Sequence, residues 1–485
     1  MLYHPGMSYL VDQNNILSML SIIDWLILAL SLMLTLVLPH FKLKQFNYRH
    51  SNKIIEDVLA GRQLTMVPFV ATLFTTWYGG IFGVSEIAYK YGIYNFLTQG
   101  VFFYFAYIIF ALAFVSKIRS SLAISLPDFI GSIYGARAKK ISSILFFFKS
   151  IPVVYCISIG LFINLLSGIP ITLGVLIGTL FAAFYSFNGG LRAIVVTDLL
   201  QFFFMFIGII ALLISSYYNF GGNAYLHTHL PPSYFSITSN HSFATTGTWF
   251  LIATFSIFLS PTFYQRCQAA QSNQTAKKGI FIALGFWVIF DICVTLCAMY
   301  AKAYLPNLAP PSSVLIYGIS ILPQGFKGLI LVSICATILS SLDSYIFMLK
   351  TTLSYDLQIL PKCNYLQREI IIFSIIICTS LLVTHIFAAS IESYWYWSKS
   401  IFIGILGIPM LAGFFWPKLA KTQNFSLNLA VSTILIIIGY WLNQKLKLHI
   451  ELIYLAILSS SISMLSCTLG LHYYANRAQT SNNIS

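Results

Sequence analysis

The sequence predicts an all-α polytopic membrane protein with about 13 transmembrane helices. Three observations lead there. Of 485 residues, 58% are hydrophobic and 8% are charged, whereas a soluble domain carries roughly 25% charged residues. Apolar runs of the length that a bilayer span needs, about 20 residues, recur along the whole chain. Lys and Arg gather in alternate connections between those runs.

The runs lie near 16–38, 64–90, 96–116, 141–163, 170–187, 192–217, 245–261, 277–301, 326–349, 367–389, 396–416, 427–444 and 450–473. The first has no small-residue cleavage site and reads as a retained helix rather than a signal peptide. The connection 39–63 holds Lys42, Lys44, Arg49, Lys53 and Arg62. The bias returns at Lys117, Arg119, Arg137, Lys139 and Lys140, then at Arg266, Lys277 and Lys278. It returns again at Lys350, Lys362 and Arg368 and at Lys418 and Lys421, while 218–245 has no Lys or Arg. The positive-inside rule then places the N-terminus outside and the C-terminus in the cytoplasm. The net charge of +14 becomes a topogenic and anionic-lipid signal, so no nucleic-acid partner is expected.

Eight scattered cysteines (156, 267, 293, 297, 335, 363, 378 and 467) read as reduced packing residues, and the nine histidines form no haem or zinc pattern. The nucleotide-binding pattern GxxxxGK[ST] is absent, which excludes a primary pump. Ser-His-Asp and HExxH arrangements are also missing, so an enzyme is not expected.

Charges within the spans are the informative residues, because each costs about 2.5–3.5 kcal/mol on insertion scales. Asp24 sits near the start of the first run and can reach the outer interface. Asp291 is deeper and can pair with a hydroxyl or backbone group. Lys149 follows Lys140 by about 14 Å of helix rise, too deep to snorkel, so it pairs with a carboxylate or lines a pathway. Glu86 carries the same two readings. In GGLRAIVVTDLLQ (189–201), Arg192 can snorkel, but Asp198 lies further in, and Thr197, Asp198 and Gln201 fall near one helix face. That oxygen-rich patch suits a hard monovalent cation or a proton, or else an interhelical hydrogen-bond cluster. Ser340, Ser341, Asp343 and Ser344 form a second patch in ATILSSLDSYIF (336–347). In TTWYGG (75–80), Gly79 and Gly80 weaken helical continuity, and a broken membrane helix frees carbonyls for ions.

Five stretches in order resemble the sodium/solute symporter family, whose members include sodium/proline, sodium/pantothenate and sodium/glucose carriers. They are LAGRQL (59–64), TTWYGG with AYKYG (88–92), GGLRAIVVTDLLQ, PTFYQRCQAAQS (261–272), and SSLDS (340–344) ahead of Tyr355–Asp356. The resemblance implies a core of five plus five helices in inverted repeats with a broken first core helix. The halves would be 59–217 and 245–418, joined by an outer loop at 218–244. Residues 1–58 would form a peripheral helix and cytoplasmic loop, and 419–485 two further peripheral helices and a tail. It implies a sodium site made of the carbonyls of Thr75, Tyr78 and Thr337 and the hydroxyls of Ser340 and Ser341. It links Asp198, with Thr197 and Asp343, to a second cation or to protons.

For the solute, the resemblance points to Trp77, Gln99, Ala253, Ser256 and Tyr396, and Lys149 joins them if it lines the cavity rather than pairing with a carboxylate. Trp77 and Gln99 depart from the sugar-carrier pattern, and Lys149 favours an anionic or zwitterionic solute, an amino acid or carboxylate. The implied function is sodium-coupled symport by alternating access in a bacterial inner membrane, with sodium, a small solute and lipid as partners. No cofactor is expected beyond the transported ion. A symporter-like sensor and a sodium-independent carrier or channel are the alternatives.

Overall fold

The computed structural model describes residues 13–43, 52–186, 189–359, 363–387 and 391–482. Of the cations that set the expected orientation, Lys44, Arg49 and Lys362 lie outside the described residues. Among the described residues, nine helices are long and apolar enough to cross a membrane, and two bent pairs bring the total to 11. The two other expected spans are shorter apolar helices, Ile171–Ser186 and Leu452–Cys467.

The Gly190–Phe220 helix shows how an almost wholly apolar sequence chooses a face. Phe203, Ile207 and Ile214 are exposed, while Asp198, Gln201, Met205, Gly208 and Leu212 are buried. The inward residues recur at helical spacing, and the polar ones sit on that stripe because hydrocarbon offers them no partner. Gly208 lets this helix approach Phe326–Thr351, since a Cβ there would lie 2.4 Å from the Ser333 Cβ. Small residues at such crossings are the usual means of close packing in a membrane.

Met66–Tyr78 and Ile81–Tyr91 meet at 58°. The backbone at Gly79 (φ −57°) and Gly80 (φ −81°) is open to any residue, so glycine is required here for approach rather than for conformation. A Cβ on Gly79 would lie 2.2 Å from the Ser341 Cβ, and one on Gly80 would lie 2.5 Å from the Trp395 ring. The expected break is therefore present, and two other helices press into it.

A second bend, of 42°, separates Phe243–Phe258 from Pro261–Ala269. Pro261 lacks an N–H and opens a new helix, while Ser260 Oγ accepts from the Phe263 N–H at 3.5 Å. The segment after 261, expected as part of a cytoplasmic connection, is a short helix that packs on the LAGRQL stretch. Leu64 N–H donates to the Ala269 carbonyl at 3.0 Å, and Gln271 N–H donates to the Leu64 carbonyl at 2.9 Å. Gln265 Nε2 adds a bond to the Val58 carbonyl at 2.9 Å.

Asp24 has a more specific place than the outer interface. It is buried and accepts from the N–H groups of Gly325 and Gly328, each at 2.7 Å, and from Ser21 Oγ at 2.7 Å. Its carboxylate thus caps the start of Phe326–Thr351, where free N–H groups and the helix dipole favour an anion. Asp24→Ala should destabilise the protein by about 1.5–3 kcal/mol, the range for hydrogen bonds to a charged group. Thermal unfolding in detergent measures this, and an unchanged midpoint would contradict the capping role.

Candidate ion and solute site

The serines of Phe326–Thr351 face the break. Ser340 Oγ lies 3.1 Å from both the Thr75 and the Thr337 carbonyl oxygens. Ser341 Oγ lies 3.2 Å from the Thr75 carbonyl and 2.8 Å from that of Thr76, and it accepts from the Gly79 N–H at 2.8 Å. Two hydroxyl protons thus serve three carbonyl oxygens. Thr75 Oγ1 is also buried, without a hydrogen-bond partner among the described residues. This excess of neutral oxygen over donors has the chemistry of a hard-cation site.

Of the five expected sodium ligands, the structure brings together Thr75, Thr337, Ser340 and Ser341. The Tyr78 carbonyl shares a peptide unit with the Gly79 N–H, and that peptide is trans, as no cis bond occurs among the described residues. The C=O and N–H of a trans peptide point in opposite directions, so the Tyr78 oxygen faces away from Ser341. Thr337 Oγ1 is turned back to the Ser333 carbonyl at 2.6 Å, leaving its main-chain oxygen for the serine cluster.

A charged cluster lies beside this one. Asp198 accepts from Thr72 Oγ1 at 2.6 Å, and Asp343 accepts from the Tyr185 hydroxyl at 2.8 Å. The remaining oxygen of each carboxylate, Oδ1, is buried without a hydrogen-bond partner among the described residues, as is the Gln201 amide. Thr197 does not join them, because its hydroxyl bonds to its own helix at Ile194, 2.8 Å away.

Arg266 completes the cluster. It was expected to be a cytoplasmic cation, yet it is 1% exposed. The bend before Pro261 turns its helix inward, and Arg266 Nη2 donates to Ser344 Oγ at 2.7 Å and to Thr76 Oγ1 at 3.2 Å. Two carboxylates and one guanidinium leave one formal negative charge, which a cation or a proton can balance. Arg192 likewise finds a partner instead of snorkelling, with its Nε 2.5 Å from Glu56.

A cavity of about 950 Å³, including its open mouth, lies against the break, with Tyr78 and Gly80 in its wall. Trp77, Gln99, Lys149 and Ser256 line it, as expected for solute contacts. Ala253 and Tyr396 do not. Ala253 is buried a turn further from the bend than Ser256. The Tyr396 hydroxyl donates to Glu451, on the approach to a peripheral helix. Trp395, Ser398, Lys399 and Phe402 face the cavity instead, and Tyr396 sits about 100° round the helix from Trp395. Asp291 also faces the cavity and accepts from the Tyr104 hydroxyl. Glu86 lies apart, in an ion pair with Lys90 at 2.6 Å that Glu392 extends at 3.2 Å.

The sodium:solute symporter family model matches residues 58–427. The chain belongs to the sodium:solute symporter family. Family membership and the many apolar helices make it an integral membrane protein. It is 26% identical over 231 residues to a sodium/pantothenate symporter of Haemophilus influenzae, covering 46% of this chain and 48% of that one. It is 26% identical over 272 residues to a sodium/glucose cotransporter of Vibrio parahaemolyticus, covering 48% and 50%. The chain thus matches about half the length of these two curated relatives. Among solved structures, a Na+-coupled sialic acid symporter in its substrate-bound outward-open state shares the fold, with a TM-score of 0.73 at 16% identity over 93% of this chain and 98% of that one.

The cluster of two aspartates around Arg266 makes a test specific to this symporter fold. Arg266→Met should destabilise the protein by about 3–5 kcal/mol, because it leaves buried carboxylates uncompensated. Adding Asp343→Asn should restore part of that loss. If the double variant is as unstable as the two single losses added together, the residues do not share a charge balance.

Proposed function

We propose that this chain is a secondary active transporter coupling the uptake of a small organic solute, an amino acid or carboxylate rather than a sugar, to sodium. The observation that carries the proposal is the meeting of the Ser340 and Ser341 hydroxyls with the Thr75 and Thr76 carbonyls at a helix break. Sodium bound among those oxygens would tie Phe326–Thr351 to the end of Met66–Tyr78, next to the break. The solute binds beside the same break, against Trp77, Gln99, Lys149 and Ser256. Both ligands then favour the conformer in which the break is held, and coupling is that shared free energy. Asp198 and Asp343 take a second cation or a proton, supported by their unpartnered oxygens. The alternating Lys and Arg bias supports an outer N-terminus and a cytoplasmic C-terminus, and the bacterial relatives support an inner membrane.

Uptake into proteoliposomes tests this. Ser340→Ala with Ser341→Ala should raise the sodium concentration for half-maximal uptake at least tenfold, equivalent to about 1.4 kcal/mol of lost ion binding. Sodium dependence equal to wild type would remove the serine site. Asp198→Asn should change the number of cations moved per solute or the pH dependence of transport. Wild-type coupling at every pH would make Asp198 structural.

A further inference from the structure

Two lysines face the solute cavity, and among the described residues neither is paired with a carboxylate. Lys149 ends the Ala136–Lys149 helix, and Lys399 lies in Ile391–Phe415 on the other side of the sequence. Among the described residues, neither forms an ion pair or a hydrogen bond to a protein group. Lys399 Nζ instead stands 4.8 Å from the Trp395 ring centroid and 5.6 Å from that of Phe103. Ring faces attract a cation but leave its charge unneutralised. Two half-buried ammonium groups facing one cavity repel each other and lose hydration. The cavity's own carboxylate, Asp291, is bonded to Tyr104 and comes from Asn273–Tyr304, which packs along both halves of the broken helix.

We infer that Lys149 and Lys399 together bind the acid group of the solute, so that the transported compound is an organic molecule of net negative charge. Two lysines and Asp291 leave the cavity one formal positive charge. A monoanion cancels it, while a zwitterionic amino acid or a sugar leaves it in place. An acid group between both ammoniums gains two charge-assisted hydrogen bonds, which are about twice as strong as neutral ones. Its body meets Trp77, Tyr155 and Tyr394. Gln99 Nε2, buried and without a partner among the described residues, stands with Asp291 for a polar group elsewhere on the solute. This assignment rests on the transporter reading and narrows it from carboxylate-bearing solutes to net anions.

The test is thermal unfolding of the full chain in detergent, in sodium and in choline, against matched triplets: butyrate, butyramide and 2-aminobutyrate, and 3-phenylpropionate, its amide and phenylalanine. The acid of a triplet should bind at least tenfold more tightly than its amide and its amino acid. Lys149→Met or Lys399→Met should abolish that preference, while Lys149→Arg with Lys399→Arg should keep it. Sodium affinity, titrated alone, should be unchanged in all variants, which separates lost recognition from misfolding. If no acid exceeds its amide, or the preference survives both methionine variants, the inference is overturned. Acid preference that is equal in sodium and choline would uphold the lysine pair and remove sodium coupling. Sodium-dependent binding of neutral members alone would do the reverse.

Discussion

Ser341 occupies the space that a side chain at position 79 would need, with its Cβ 2.2 Å from where a Gly79 Cβ would stand. The centre of the bundle depends on this approach. It lets two hydroxyls of one helix reach the last carbonyls of another, at the point where the broken helix bends by 58°. On one side it gathers the oxygens of Thr75, Thr76 and Thr337. On the other it gives Trp395 a flat glycine surface to rest on, so the cavity wall and the serine cluster share two consecutive glycines.

Counted at the ordinary charges of their side chains, neither group of charges around the break sums to zero by itself. The aspartate cluster around Arg266 carries a formal negative excess and the lysine-lined cavity a positive one. Arg266 touches Thr76 on the broken helix and Ser344 on the serine helix, so a change in the spacing of those helices changes its hydrogen bonds. The serine cluster and the cavity therefore share one backbone segment, 75–80, through which the proposed cation and solute sites would be coupled. Both sites are built from elements with two mechanical partners, the kind of connection that energetic coupling needs.

Much of this was legible in the sequence because the membrane makes polar residues conspicuous. Asp198 in an apolar helix, the Ser340–Ser341 pair and the Gly79–Gly80 break all stand out against hydrocarbon, and all are buried at the centre of the bundle. What the letters hid were partners brought from far along the chain. Thr72 reads as a packing residue until Asp198 is placed beside it. Arg266 follows a span and looks like one more cytoplasmic cation, because the return of the chain after Pro261 depends on a bend that one proline does not announce. Lys399 sits in a Trp- and Tyr-rich stretch that resembles an interfacial belt, and only the rotation of its helix turns it toward the cavity and Tyr396 away. The carbonyl of Tyr78 was beyond sequence altogether, since its direction is set by a single peptide plane.

The most direct measurement is hydrogen–deuterium exchange of the purified protein in sodium and in choline, read on peptides covering 75–83 and 337–345. If sodium joins the serine helix to the break, both peptides exchange more slowly in sodium, and the difference vanishes in the Ser340→Ala, Ser341→Ala variant. Equal exchange in the two salts, or protection elsewhere with none at these segments, would contradict the account.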